Sequence, residues 1–443
     1  MNSAQGEKAA ASVTASKSPG WRAQLANPRA VKGYLSLADQ CVVSATTFSV
    51  NIFLARYLGV DEYGLFVVAY TVYLLIAAVQ DAMFGYPALI VGARLGNENL
   101  GGYVSSLFVL QCIFGISVSA LLIAAIAAAY SYSGAFDPWM FYSFVSFVMF
   151  ALSNQFLRRL LYLYNRAFQV LLVDLLFSAF LFASLFYLAS GGRLGFAQAN
   201  YSLAFAALGA FVAGTAFLGG QFVFKGLSLR ASAVENLRFG KWLVAQNLCT
   251  WGTGQIYYLV SAAVLGMKAP AVLKVCANLL APLQVIFQGI DSVLVIAISK
   301  RLEAGTARPF LLKAGAALVA FSLIYSLIIP IFSDDLILLL YGPSYPDLFP
   351  IVVIFAVAFV FRSVAVVPNL ALLSMKATRE TFFVHLTTLF ITLASIYPLL
   401  HYGEIMGAAV GTVLIPYFFW AVLMLWRVSK LLPKYNSRVD AYR

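Results

Sequence analysis

The stretch GYLSLADQCVVSATTFSVNIFLARYLG, residues 33–59, decides how this chain folds. It holds one acid, Asp39, and one base, Arg56, in a run otherwise apolar or neutral. The run is longer than the roughly 20 residues a helix needs to cross a hydrocarbon core. Its apolar residues are continuous rather than alternating, so the backbone must satisfy itself within a helix and not in a barrel strand. The neutral polar residues Ser36, Gln40, Ser44, Thr47 and Asn51 recur every three or four positions, which puts them in one stripe on one helical face.

Working outward, the same reading finds eleven more such runs, near 64–90, 103–129, 139–160, 167–190, 199–223, 242–266, 270–297, 311–333, 348–372, 381–401 and 404–427. Of the 443 residues, 62% are hydrophobic and 10% are charged. A soluble domain carries about 25% charged residues, so soluble enzymes, nucleic-acid-binding domains and disordered scaffolds are excluded. The chain reads as an all-α polytopic membrane protein with twelve transmembrane helices.

Twelve passes put both termini on one side. That side collects Arg94, Arg158, Arg159, Arg166, the bases of 225–241, Lys300, Arg301, Arg308, Lys313, Lys376, Arg379 and the basic C-terminus. The other side has only Arg56, Arg193 and Lys268, with acidic turns at Asp61-Glu62 and Asp334-Asp335. Basic residues mark the cytoplasmic side, so both termini are expected there. The net charge of +12 is then topology, and no nucleic-acid partner is needed to explain it. Residues 1–30 lack the apolar core of a secretory signal and read as a disordered cytoplasmic tail. Cys41, Cys112, Cys249 and Cys276 lie in apolar stretches without metal-ligand spacing. Walker loops, His-Glu-x-x-His and paired cysteines are absent, so neither catalysis nor a metal or cofactor is expected.

An internal repeat organises the passes. Shifted by 207 positions, Gly33–Gly59 aligns without a gap on Gly240–Gly266, GKWLVAQNLCTWGTGQIYYLVSAAVLG. Gly33/Gly240, Ala38/Ala245, Thr46/Thr253, Ala55/Ala262, Leu58/Leu265 and Gly59/Gly266 are identical. The repeat pairs pass one with pass seven, so the copies run in the same direction. This describes two parallel six-helix lobes around a central cavity, at 31–224 and 242–430, with a cytoplasmic linker at 225–241 and a tail at 431–443. Two matched lobes suit rocking about a cavity; no channel filter sequence is present.

The segment NIFLARYLGVDEYGLFVVAYTVYLLI, Asn51–Ile76, resembles the N-terminal signature of bacterial polysaccharide transporters. These are the O-antigen-flippase-like branch of the multidrug/oligosaccharidyl-lipid/polysaccharide exporter superfamily. In that family a first helix ending Leu-Ala-Arg-x-Leu-Gly turns through acids into Tyr-Gly-Leu-Phe. Here Leu58, Gly59, Tyr63 and Gly64 match best and read as a structural hairpin. The resemblance implies movement of undecaprenyl-diphosphate-linked sugar units across the bacterial inner membrane by alternating access. It implies as partners a lipid-linked sugar, membrane lipids and polysaccharide polymerase or assembly proteins.

Charges within the passes are the site candidates, because each costs about 2.5–3.5 kcal/mol at the bilayer centre. Arg362, in VVIFAVAFVFRSVAVV, together with Lys274 and Arg56, suits a diphosphate. Asp39, Asp81, Asp174 and Asp291 are candidates for coupling to H+ or Na+, with Asp174 alternatively a simple partner of Arg158 or Arg159. Amides and rings on passes one, two, seven and eight suit a sugar: Asn51, Tyr70, Asn247, Trp251, Tyr258, Asn278 and Gln288. Ordinary interhelical hydrogen bonding is the competing explanation for each. Two other functions stay open: a drug/cation antiporter, which predicts a carboxylate-dominated cavity, and a non-transporting membrane scaffold, which predicts fused lobes.

Overall fold

A computed structural model of the chain describes residues 28–133, 137–225 and 227–441. The tail expected at 1–30 lies outside them up to residue 27; residues 28–30 already open the first helix. Every regular element among the described residues is helical. The N-lobe comprises α1 (Pro28–Tyr57), α2 (Val60–Gly92), α3 (Asn97–Ser133), α4 (Pro138–Leu163), α5 (Ala167–Ser190) and α6 (Phe196–Leu218). The C-lobe comprises α7 (Leu229–Leu265), α8 (Lys268–Leu279), α9 (Ala281–Glu303), α10 (Ala307–Ile331), α11 (Ser333–Tyr341), α12 (Phe349–Ser374), α13 (Thr378–Ala409) and α14 (Ile415–Ala441).

Among the described residues nine helices are long and apolar enough to cross a membrane, or ten with α8 and α9 taken as one pass bent by 54°. One of the nine, Thr378–Tyr435, breaks at Glu404 (φ 47°, ψ −128°) and so makes two passes. The remaining pass is α7, whose apolar run is interrupted by Thr250, Thr253 and Gln255. This architecture is compatible with twelve passes.

Each lobe is built on its fourth pass. In the N-lobe α4 presents Phe144, Val148, Leu152 and Phe156, all buried, to a neighbour α6 rich in buried alanines (Ala199, Ala206, Ala207, Ala210). Small side chains let two helix backbones approach where no hydrophobic effect drives them together. In the C-lobe α12 fills that role against α9, α10 and α14.

The α1–α2 hairpin turns at Leu58-Gly59, and Asp61 and Glu62 occupy the first turn of α2, where the helix dipole favours acids. Gly59 has an ordinary φ of −62° and open space around it, so the turn itself does not require glycine. Gly64 is the constrained position, because a Cβ there would collide with the Met267 carbonyl at the start of the α8 region. The hairpin glycine thus serves the contact between lobes. Two boundaries differ from expectation. Residues 229–241 of the expected linker are the first turns of α7, and the expected tail from 431 continues α14 through Pro433 to Ala441. Polar composition reads as loop, yet residues 229–239 contain no glycine or proline to stop a helix.

Candidate functional site

Two cavities lie on either side of α1. The larger, about 1060 Å³, is enclosed by α1 and the C-lobe, and the smaller, about 340 Å³, lies within the N-lobe. Gln40, Val43, Thr47 and Asn51 of α1 line both, so the polar stripe read from the sequence is the strip along which the cavities meet.

The larger cavity is cationic. Arg362 enters from α12, donates to the Tyr417 hydroxyl at 3.0 Å and lies over the rings of Phe359 and Tyr417 at 5.5 and 5.4 Å. Its buried Nε has no hydrogen-bond partner among the described residues. Lys274 enters from α8, half-buried, and is in no ion pair within 4 Å among the described residues. Tyr258, Asn278 and Gln288 share this wall, and Asn278 donates to the Tyr341 hydroxyl at 2.8 Å. His385 and Trp420 also line it, their rings stacked at 6.1 Å.

The smaller cavity holds an ion cluster. Arg158 of α4 lies 3.1 Å from Asp39 on α1 and 2.6 Å from Asp174 on α5, and the Tyr162 hydroxyl donates to Asp39 at 2.6 Å. Asp39 is 2% exposed, and its Oδ1 has no partner among the described residues. One guanidinium therefore faces two carboxylates, leaving one negative formal charge over. The adjacent Arg159 takes Asp81 instead, through bonds of 2.9 and 2.8 Å, at the π-helical turn Asp81–Gly85 of α2. Successive residues of a helix point about 100° apart, which is how neighbouring arginines serve different partners.

The candidate residues therefore separate. Arg362, Lys274, Asn278, Gln288, Tyr258, Asn51, Tyr70, Asp39 and Asp174 all reach a cavity wall. Five do not. Arg56 is exposed at the end remote from the termini, donating to the Leu339 carbonyl of α11 at 2.9 Å. Asn247 and Trp251 donate to the Ala78 and Thr71 carbonyls of α2, at 3.0 and 3.1 Å, and so join the lobes. Asp81 is consumed by Arg159, and Asp291 lines neither cavity, interacting with Arg362 only at a distance. Arg158 is the partner of Asp174 that the sequence offered as the alternative to ion coupling, while Arg159 takes Asp81. Tyr162 and His385 were missed, because nothing in the sequence sets them apart from other helix residues.

A seal closes the cavities at the end remote from the termini. There Tyr345 donates to the Ala55 carbonyl at 3.3 Å, α11 caps α1, and Gly64 abuts Met267.

The family model described as polysaccharide biosynthesis protein matches residues 53–345, well over half of the chain. The chain belongs to that family. No curated protein matches it. Among solved structures, this family member is similar to a multidrug resistance MATE family transporter of the MOP superfamily in an inward-facing conformation. That match has 16% identity and a TM-score of 0.67, covering 91% of this chain and 96% of that one. It is also similar to a mutant of the Vibrio cholerae MATE transporter VcmN (14%, 0.63, covering 91% and 96%). A MOP superfamily transporter from Pyrococcus furiosus, described as having a binding pocket of reverse polarity, matches at 14% and 0.61, covering 92% and 94%. These likenesses give the chain the MATE-type fold.

Proposed function

We propose that the protein is a flippase that moves undecaprenyl-diphosphate-linked saccharide units across the bacterial inner membrane by alternating access. The observation that carries this reading is the pair Arg362 and Lys274 in the larger cavity, neither held by a carboxylate within 4 Å among the described residues. Two half-buried cations with no contacting carboxylate, Asp291 reaching Arg362 only at a distance, leave room for an anion, and a diphosphate supplies that charge through charge-assisted hydrogen bonds. A guanidinium already levelled by Phe359 and Tyr417 presents its remaining donors at little further entropy cost.

The cycle follows from the two ends of the molecule. With the remote end sealed, the headgroup loads from the side bearing the termini, which the basic loops support as cytoplasmic. The excess carboxylate of Asp39 and Asp174 around Arg158 supports coupling to H+ or Na+. A cation there would release Arg158 from one acid and loosen α1 from α4 and α5.

In vesicles holding the pure protein, translocation of a labelled undecaprenyl-diphosphate sugar should fall at least about tenfold in Arg362→Ala, the loss of one charge-assisted anion contact. Asp39→Asn should transport independently of an imposed proton or sodium gradient. Undiminished transport by Arg362→Ala removes the phosphate reading. Efflux of cationic dyes, with no sugar translocation, would favour an antiporter.

A further inference from the structure

The smaller cavity has an uncharged face that the ion cluster does not use. Tyr70 and Tyr73 on α2 meet at 5.4 Å, and Phe147 on α4 meets Tyr73 at 4.8 Å and lies nearly parallel to Tyr70, at 16° and 6.4 Å. All three line the cavity, forming a continuous aromatic wall. Asn154 and Gln155 line it from α4 and Thr47 from α1. Asn154 is 7% exposed, and its buried Oδ1 accepts no hydrogen bond among the described residues. A buried acceptor left unmet is costly unless a ligand or water reaches it. Nothing in charge coupling calls for a stack of rings beside neutral amides.

We infer that this cavity is a saccharide-ring subsite. The aromatic wall takes the apolar C–H face of a pyranose, and Asn154, Gln155 and Thr47 take its hydroxyls. At about 340 Å³ it sits near the lower end of the roughly 300–1,000 Å³ range of ligand pockets. It therefore suits a short saccharide and not a whole repeat unit. A cleft of about 10 Å³, room for about one water, is lined by Tyr70, Asn51, Tyr258 and Lys274. The two cavities adjoin along the strip Gln40, Val43, Thr47 and Asn51 of α1, the side from which a molecule with its anionic group at Lys274 would bring its ring to Tyr70. This inference rests on the transport reading for the molecule that brings the ring; the chemistry of the pocket stands without it.

The test uses the full-length protein in lipid nanodiscs with two separate probes. Methyl glycosides of a hexose and an N-acetylhexosamine, followed by ligand-observed NMR, report the ring subsite; inorganic pyrophosphate, followed by calorimetry, reports the cationic cavity. Tyr73→Leu and Asn154→Ala should each weaken glycoside binding about tenfold while Tyr73→Phe, which keeps the ring, stays near wild type. Pyrophosphate affinity should be unchanged in all three, which also certifies their fold. Arg362→Ala should show the reverse pattern. Glycoside binding that is absent from the wild type, or indifferent to both Tyr73→Leu and Asn154→Ala, overturns the inference. Glycoside binding without pyrophosphate binding upholds it and sinks the phosphate reading instead.

Discussion

The two seams between the lobes are each formed by one copy of the repeated first helix, α1 or α7, yet they differ at the end that carries the termini. Along one seam α2 lies against α7, and Gly240 is pressed onto the Ala82 carbonyl and the Met83 backbone. The other seam is the repeat-related pair α1 and α9. There Gly33 occupies the repeat position of Gly240, and Gly289 lies 207 positions beyond Ala82. Among the described residues, a Cβ at either Gly33 or Gly289 would meet nothing within 4 Å. At the remote end both seams are shut, by Gly64 on Met267 and by Tyr345 and Arg56 on the junction of α1 and α11. The repeat therefore sets which helices face each other, while the position of the lobes decides which faces touch. On the proposed flippase reading, an open seam on one side is the path by which a headgroup would reach both cavities while its lipid tail stays in the bilayer.

The largest effect should come from forcing the open seam shut. On a background lacking the four native cysteines, Gly33→Cys with Gly289→Cys should cross-link under oxidant during turnover and reduce transport by about tenfold or more, with recovery on reduction. If no cross-link forms and transport is unaffected, the seam does not close in the cycle and its openness is a fixed feature. Next in size, Gly240→Leu should destabilise the protein by about 1–3 kcal/mol through overpacking, read as a lower unfolding temperature in detergent. Gly33→Leu should leave that temperature unchanged. Equal losses from the two substitutions would erase the distinction between the seams. The smallest effect belongs to Arg56→Ala, which removes one exposed charge-assisted hydrogen bond to Leu339. Amide exchange over 339–348 should rise about two- to tenfold, the scale of one hydrogen bond, with unfolding temperature nearly constant.

Much of the architecture was legible because a bilayer imposes strict rules on sequence. Charge is excluded from the core, so the passes stand out, and the bases gather on one side. The site was legible only in part. Asn247, Trp251 and Tyr258 of pass seven read alike as sugar-contacting candidates, but Asn247 and Trp251 bond to α2 whereas Tyr258 faces a cavity. Periodicity reports that a face avoids lipid and cannot say whether a helix or a ligand covers it. Arg158 and Arg159 look like loop charges because they stand near the end of an apolar run. Asp39 and Asp174, the partners of Arg158, lie 119 and 16 positions away on other helices. Phe147 carries no signal at all, since phenylalanine is ordinary on a lipid-facing surface and becomes part of a wall only beside Tyr73.

The sequence alone determined the helical class, the approximate passes, the pairing of the two lobes and the charge placed within them, because each follows from the local cost of exposing polar backbone or charge to hydrocarbon. Only the tertiary structure decided which acids share Arg158, which cations of the larger cavity touch no carboxylate among the described residues and which seam is closed. Those outcomes depend on the rotation and contact of helices far apart in the chain, and no local energy term records them.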